Sequence, residues 1–140
     1  VIPIVRTKIE VGFNKIRRIN GLDDFARILF PDNKNHQKIF LTIFIELKYS
    51  PDEFLNNFKH IPKKYGVSER VLEIVRAKMR KFGIIDHVSK FNSKYGYQEG
   101  WVFSKKFSKS LNVFAETAKK YQEEKDANQE QKDRDCLGYV

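Results

Sequence analysis

Cysteine is almost missing from this chain: one residue, Cys136, in 140. A single thiol excludes an internal disulfide and any cysteine metal cluster, and it fits a reducing compartment. Long apolar runs are missing too. No stretch approaches the roughly 20 residues needed to span a bilayer, and the first residues lack the apolar centre of a secretion signal. These absences set the expectation of a cytoplasmic protein without a membrane partner. The three histidines, His36, His60 and His87, stand apart from one another and lack acidic companions at ligand spacing. A structural or surface role is expected for them, with no metal and no cofactor. No phosphate-cradling glycine loop, nucleophile elbow or zinc-helix signature occurs. The carboxylate pairs Asp23-Asp24 and Asp52-Glu53 fall where helices are expected to start, and the helix dipole accounts for them. The chain is therefore read as a non-enzyme.

Basic charge is what the sequence has in excess. The chain holds 27 Lys/Arg against 18 Asp/Glu, a net of +9. Of these, the last twenty residues hold three basic and six acidic groups, leaving 24 against 12 for residues 1–120, a net of +12. Such a surface repels itself unless an anionic partner screens it, and nucleic acid is the first candidate. Twelve Phe and six Tyr supply the material for a packed core.

Residues 1–11 are partly alternating and β-branched, which favours a strand or an extended arm, with Pro3 pointing to an edge. A basic knot follows at Lys15, Arg17 and Arg18. A short helix is predicted over about 22–30, stopped by Pro31. Asn35–Lys48 carries Ile39, Phe40, Ile43, Phe44 and Leu47 at helical spacing, so a buried helix is predicted, with a buried strand over 39–45 as the rival. Ser50-Pro51-Asp52-Glu53 reads as the start of a second helix that carries Phe54, Leu55 and Phe58 and ends before Pro62. Lys63–Gly66 reads as a turn. Ser68 caps a third helix running to about Phe82, with Gly83 at the left-handed closing position. The period then changes to two, giving strands over Ile84–Phe91 and about Gly100–Ser104, joined by a long loop, Asn92–Glu99. A last helix runs from Lys105 to at least Tyr121, and the polar segment beyond it is read as frayed helix or disorder.

This order, three helices, a two-stranded hairpin and a closing helix, resembles the winged helix-turn-helix DNA-binding superfamily, of the kind found in prokaryotic or archaeal regulators and replication initiators. The likeness covers about Asn35–Tyr121 and rests on SPDEFLNNFKHI, VSERVLEIVRAKMRKFG and the GII of 83–85. It implies a mainly α fold with a small β-hairpin wing (α+β), an N-terminal extension over 1–34, a winged-helix domain over 35–104, a C-terminal helix over 105–124 and a polar tail over 125–140. It also implies double-stranded DNA as partner, with the third helix in the major groove and the wing on the backbone. The positions this assigns to DNA are Lys63, Lys64, Ser68, Arg70, Glu73, Arg76, Ala77, Arg80, Lys90, Asn92, Lys94, Tyr95, Lys105 and Lys106. Among them Arg70, Glu73, Arg76 and Arg80 are expected at base edges.

Three further expectations come from the residues themselves. Tyr95, Tyr97 and Trp101 could stack on bases as single-strand binders require, but packing is favoured: Trp101 should cover the core beneath the wing, with Tyr97 packed beside it. Phe107, Leu111, Phe114, Ala118 and Tyr121 repeat at four, three, four and three, a heptad-like seam that suits a homodimer. Val71 and Ile74 are apolar on the supposed reading face, which leaves open a protein-binding adaptor. Lys59–Gly66 is also longer than the turn of a compact helix-turn-helix.

Overall fold

A computed structural model describes Val5 and residues 7–140. The edge position expected for Pro3 lies outside the described residues. The protein is mainly helical with one small antiparallel sheet, an α+β arrangement. It divides into two compact units, Val1–Lys105 and Lys106–Val140. Among the described residues no helix is long and apolar enough to cross a membrane.

The first unit opens with an arm that has no strand among its described residues. A short helix α1, Phe13–Arg17, contains the basic knot and buries nothing. Helix α2, Leu22–Leu29, starts under Asp23 and Asp24, both of which bind Arg27 one turn on, at 3.0 and 2.8 Å. Helix α3, Lys34–Lys48, is capped by Asn33, whose Oδ1 accepts from the His36 amide at 3.0 Å. Its Ile39, Phe40, Ile43 and Leu47 are fully buried, so the helical spacing prevails over the strand alternative. Ala26, Leu29 and Phe30 of the α2 segment are buried with them, and Phe40 touches the rings of Phe25, Phe30 and Phe44. The core is sealed, since among the described residues no buried side-chain nitrogen or oxygen lacks a partner.

The segment after α3 departs from its sequence reading. The residues expected to start a second helix form a single 3-10 turn, Pro51–Glu53, followed by strand β1, Phe54–Leu55. Ser50 donates its hydroxyl to the Leu47 carbonyl at 2.7 Å instead of capping a new helix. Asp52 and Glu53 take φ of 58° and 49°, which turns the chain out of helical geometry. Strand β1 then pairs antiparallel with a later strand β3, Gly96–Phe103, in the register Phe54↔Val102 and Leu55↔Trp101. Long-range pairing has overridden a local start signal. The second helix lies further on, as α4, Ile61–Tyr65, so Lys63–Tyr65 of the expected turn are helix and only Gly66 turns. Pro62 sits in its first turn, where a missing amide costs nothing. Gly66, at φ 65°, ends it, and only Gly66–Ser68 separate it from α5, Glu69–Phe82. The apparent excess in Lys59–Gly66 therefore disappears, and the connection is three residues long.

Helix α5 starts and stops where the sequence places it. Ser68 Oγ accepts from the Val71 amide at 3.4 Å. At the other end Gly83 takes φ 86°, and the amides of Gly83 and Ile84 reach back to the Arg80 and Met79 carbonyls, which satisfies orphan acceptors of the last turn. Leu72, Val75 and Met79 pack inward. Strand β2, Ile85–Asn92, pairs with β3 in eight successive rungs, giving the sheet order β1-β3-β2. The hairpin loop is shorter than expected. Asn92 pairs with Gly96, so only residues 93–95 form the loop, and Gly96 at φ 74° supplies the left-handed step. Gly100 is bare because β1 crosses it closely: a Cβ there would lie 2.5 Å from Phe54 Cζ and 2.6 Å from the Leu55 oxygen.

The second unit consists of α6, Lys106–Glu123, and α7, Ala127–Asp135, with a closing 3-10 turn, Cys136–Tyr139. Residues read from sequence as frayed helix or disorder thus form α7. It has no buried residue, and its order comes from local polar pairing. Asp126 caps the Gln129 amide, and Gln129–Asp133, Glu130–Arg134 and Gln131–Asp135 join at i, i+4.

Candidate nucleic-acid interface

The geometry of α5 decides which of its side chains can meet a ligand. With Leu72, Val75 and Met79 inward, a rotation of about 100° per residue turns Arg70, Glu73, Ile74, Ala77 and Lys81 outward. Arg70, Glu73 and Lys81 are exposed, Ile74 is 41% exposed and Ala77 is half-buried. Among the described residues no carboxylate pairs with Arg70.

Arg76 and Arg80 occupy a different flank. Both guanidinium groups lie over the ring of Trp101, 5.0 and 5.9 Å from its centroid. Arg80 Nε also stands 3.5 Å from Asp86 on β2. Trp101 itself is 8% exposed and is packed by Phe58 and His87, at 5.5 and 4.9 Å between rings. It lies in the core beneath the hairpin, as expected. Tyr97, expected beside it, is instead 77% exposed and touches Phe91 at 5.2 Å. The two arginines brace the hairpin against α5, a function that spacing along the helix gave no sign of.

The remaining cations differ in how far they are already engaged. Lys63 is exposed on α4. Lys64 donates to Glu46 Oε1 at 2.8 Å, and His60 Nε2 approaches the same oxygen at 3.2 Å. The bond from Lys64 holds the Glu46 carboxyl below the usual carboxylate range and raises Lys64 in return. On the hairpin, Lys90 is exposed and its ammonium sits 5.5 Å from the Phe54 ring, while Lys94 lies 5.2 Å from the ring of Tyr95, itself 64% exposed. Asn92 closes β2 opposite Gly96. Ser68 serves α5 as its cap. Lys105 is exposed at the end of the first unit, and Lys106 opens α6 in the second.

Two contacts tie the opposite flank of α5 to the rest of the first unit. Lys81 Nζ donates to the Val5 carbonyl of the arm. Lys78 Nζ meets His36 Nδ1 at 3.4 Å, and burial together with the Lys78 charge holds His36 below its ordinary value. A groove of about 490 Å³ lies beside this pair, between the arm at Thr7-Lys8 and the Phe30 and Phe82 side chains. Val71 is half-buried on the same flank. Among the described residues no three His, Cys, Asp or Glu side chains gather as a metal site. No family model, curated protein or solved structure matches the chain.

Proposed function

We propose that the first unit is a winged helix-turn-helix domain that binds double-stranded DNA as a sequence-specific transcriptional regulator. The observation that carries this reading is the order α3, β1, α4, α5, β2, β3 with β1 laid against β3. It leaves a helix capped at both ends, three residues after its predecessor, beside a lysine-bearing hairpin. A helix of this kind fits the major groove, and the hairpin lysines suit the phosphates. The net charge of residues 1–120 supplies the attraction. Arg70 and Glu73 take the base edges, with Ala77 allowing close approach. Arg76 and Arg80 support them from the wing side, and Lys63, Lys90, Lys94 and Lys105 neutralise phosphates. A replication-initiator or nucleoid role would use the same surface with different specificity.

Selection of bound duplexes from a random pool at two salt concentrations tests the reading. Enriched sequences are expected. Arg70→Ala should then relax preference at one position by about 1–3 kcal/mol. Lys94→Ala should weaken all sequences alike and flatten the salt slope by about one. If the wild-type chain fails to retain duplex even at low salt, DNA binding is rejected. The second reading, an adaptor that binds another protein, then takes its place. It draws on Ile74, which is 41% exposed in the outward row, and on the engagement of Arg76 and Arg80 by Trp101.

Two copies of the chain pair through α6. Leu111, Phe114 and Tyr121 are 42, 70 and 62% exposed, Ala118 is exposed and Phe107 half-buried, so the seam offers apolar surface to a partner helix. Light scattering at tens of micromolar should give a mass near twice the 16.6 kDa of one chain. Phe114→Glu should return it to one. A wild-type mass of a single chain would remove the dimer.

A further inference from the structure

The outer half of the hairpin carries three aromatic side chains that the core does not use. Phe91 is 63% exposed, Tyr95 64% and Tyr97 77%. Phe91 and Tyr97 face each other across β2 and β3, their rings 5.2 Å apart at 61°, and Tyr95 stands in the loop one rung further out. Four rungs inward, on the same face as Phe91 and Tyr97 but beyond the Ser89–Glu99 rung, Trp101 is packed against Phe58 and His87. Strand alternation thus puts a second aromatic cluster at the outer end of the face whose inner end Trp101 closes, with Ser89 and Glu99 between the two. Exposed rings of this size gather when they have a ligand to meet.

Their surroundings indicate which ligand. Residues 88–98, VSKFNSKYGYQ, contain Lys90 and Lys94 and no carboxylate, the first acid being Glu99. Lys94 stands against the Tyr95 ring at the tip, while Lys90 lies on the other face against Phe54; a cation beside exposed rings matches a strand that offers a phosphate next to unstacked bases. Paired bases hide their faces inside the helix stack, so rings at a hairpin tip can stack only where pairing has ended.

We infer that the hairpin tip stacks on unpaired bases next to a duplex, so that the preferred substrate is DNA with a single-stranded extension or fork. This rests on the duplex reading given above and adds to it a substrate class. It assigns Phe91, Tyr95 and Tyr97 to the first bases beyond the last pair, and Lys94 to their phosphates.

The test uses the full chain with three probes at one salt concentration: a blunt duplex, the same duplex with a single-stranded extension, and an anionic phosphatidylserine vesicle. The extension carries 2-aminopurine at its first unpaired position. The extended duplex should bind roughly tenfold tighter than the blunt one, within the range that stacking on one base provides. The 2-aminopurine fluorescence should fall on binding. The double variant Phe91→Ala, Tyr97→Ala should lose both effects while binding blunt duplex as the wild type does, and Tyr97→Phe, which keeps the ring, should retain them. Both positions are exposed, so an unchanged melting temperature identifies a folded variant. Equal affinity for blunt and extended duplex, without quenching, overturns the tip inference and leaves the duplex reading standing. Binding to neither DNA overturns both. Vesicle binding that the double variant abolishes, with no preference for the extension, assigns the rings to a membrane surface and overturns the inference as well.

Discussion

Trp101→Ala is expected to destabilise the first unit by about 3–5 kcal/mol, the range for removing a large buried aromatic. The ring is 8% exposed and closes the space between Phe58 and His87. It also lies under the guanidinium groups of Arg76 and Arg80, each worth about 0.5–1 kcal/mol at an exposed site and more when desolvated. Truncation thus leaves a cavity and frees two charged side chains at once. Urea unfolding followed by far-ultraviolet circular dichroism measures the loss, since the variant no longer has a tryptophan. Trp101→Phe should recover most of the packing and less of the cation contact, falling between wild type and alanine. Arg76→Ala should lose more than Arg70→Ala, because Arg70 faces solvent. A loss below about 1 kcal/mol for the alanine variant would mean that the ring does not hold hairpin and helix together.

That experiment also bears on what sequence patterning can reach. The limits of α5 were legible because its signals are local: Ser68 before the apolar period, Gly83 after it. Its inward row was legible for the same reason. The roles of Arg76 and Arg80 were not, because the residue that claims them is on β3, more than twenty positions away. The same cause explains the Ser50–Glu53 misreading. Nothing near Phe54 signals a strand, since the strand exists only by pairing with Trp101 and Val102. The one hint was Gly100, a side-chain-free position inside a strand, which often marks close approach of another backbone. Helix α4 escaped notice because five residues are too few to show a period, and Pro62 looked like a terminator. The glycines around 92–99 suggested a wide loop, whereas Gly96 permits a narrow one. Charge and aromatic content were readable from composition. Which cations engage Trp101 and which rings face solvent needed the folded hairpin.

Removing residues 1–34 is expected to abolish cooperative folding of the first unit, although sequence patterning puts a domain boundary there. The deleted segment contains Ile28, Leu29 and Phe30, at 6, 1 and 4% exposure. Burying three such side chains contributes about 5–9 kcal/mol at the usual 1.5–3 each. A domain of this kind has only about 5–15 kcal/mol in total. The loss also reaches the remainder. Phe30 packs against Phe40, Phe82 and His36, all of which would lose a neighbour. Asn33, which caps α3, and the Phe30 carbonyl that accepts from Gln37 Nε2 at 2.8 Å would disappear with it. A chain starting at Gly21 keeps α2 and all of these contacts, and it should melt in one transition close to that of the full protein. The comparison is made by thermal circular dichroism and by amide dispersion in a proton–nitrogen spectrum. If the chain starting at Asn35 melts cooperatively within a few degrees of the one starting at Gly21, then α2 is an appendage and the helical layer beneath α5 begins at α3.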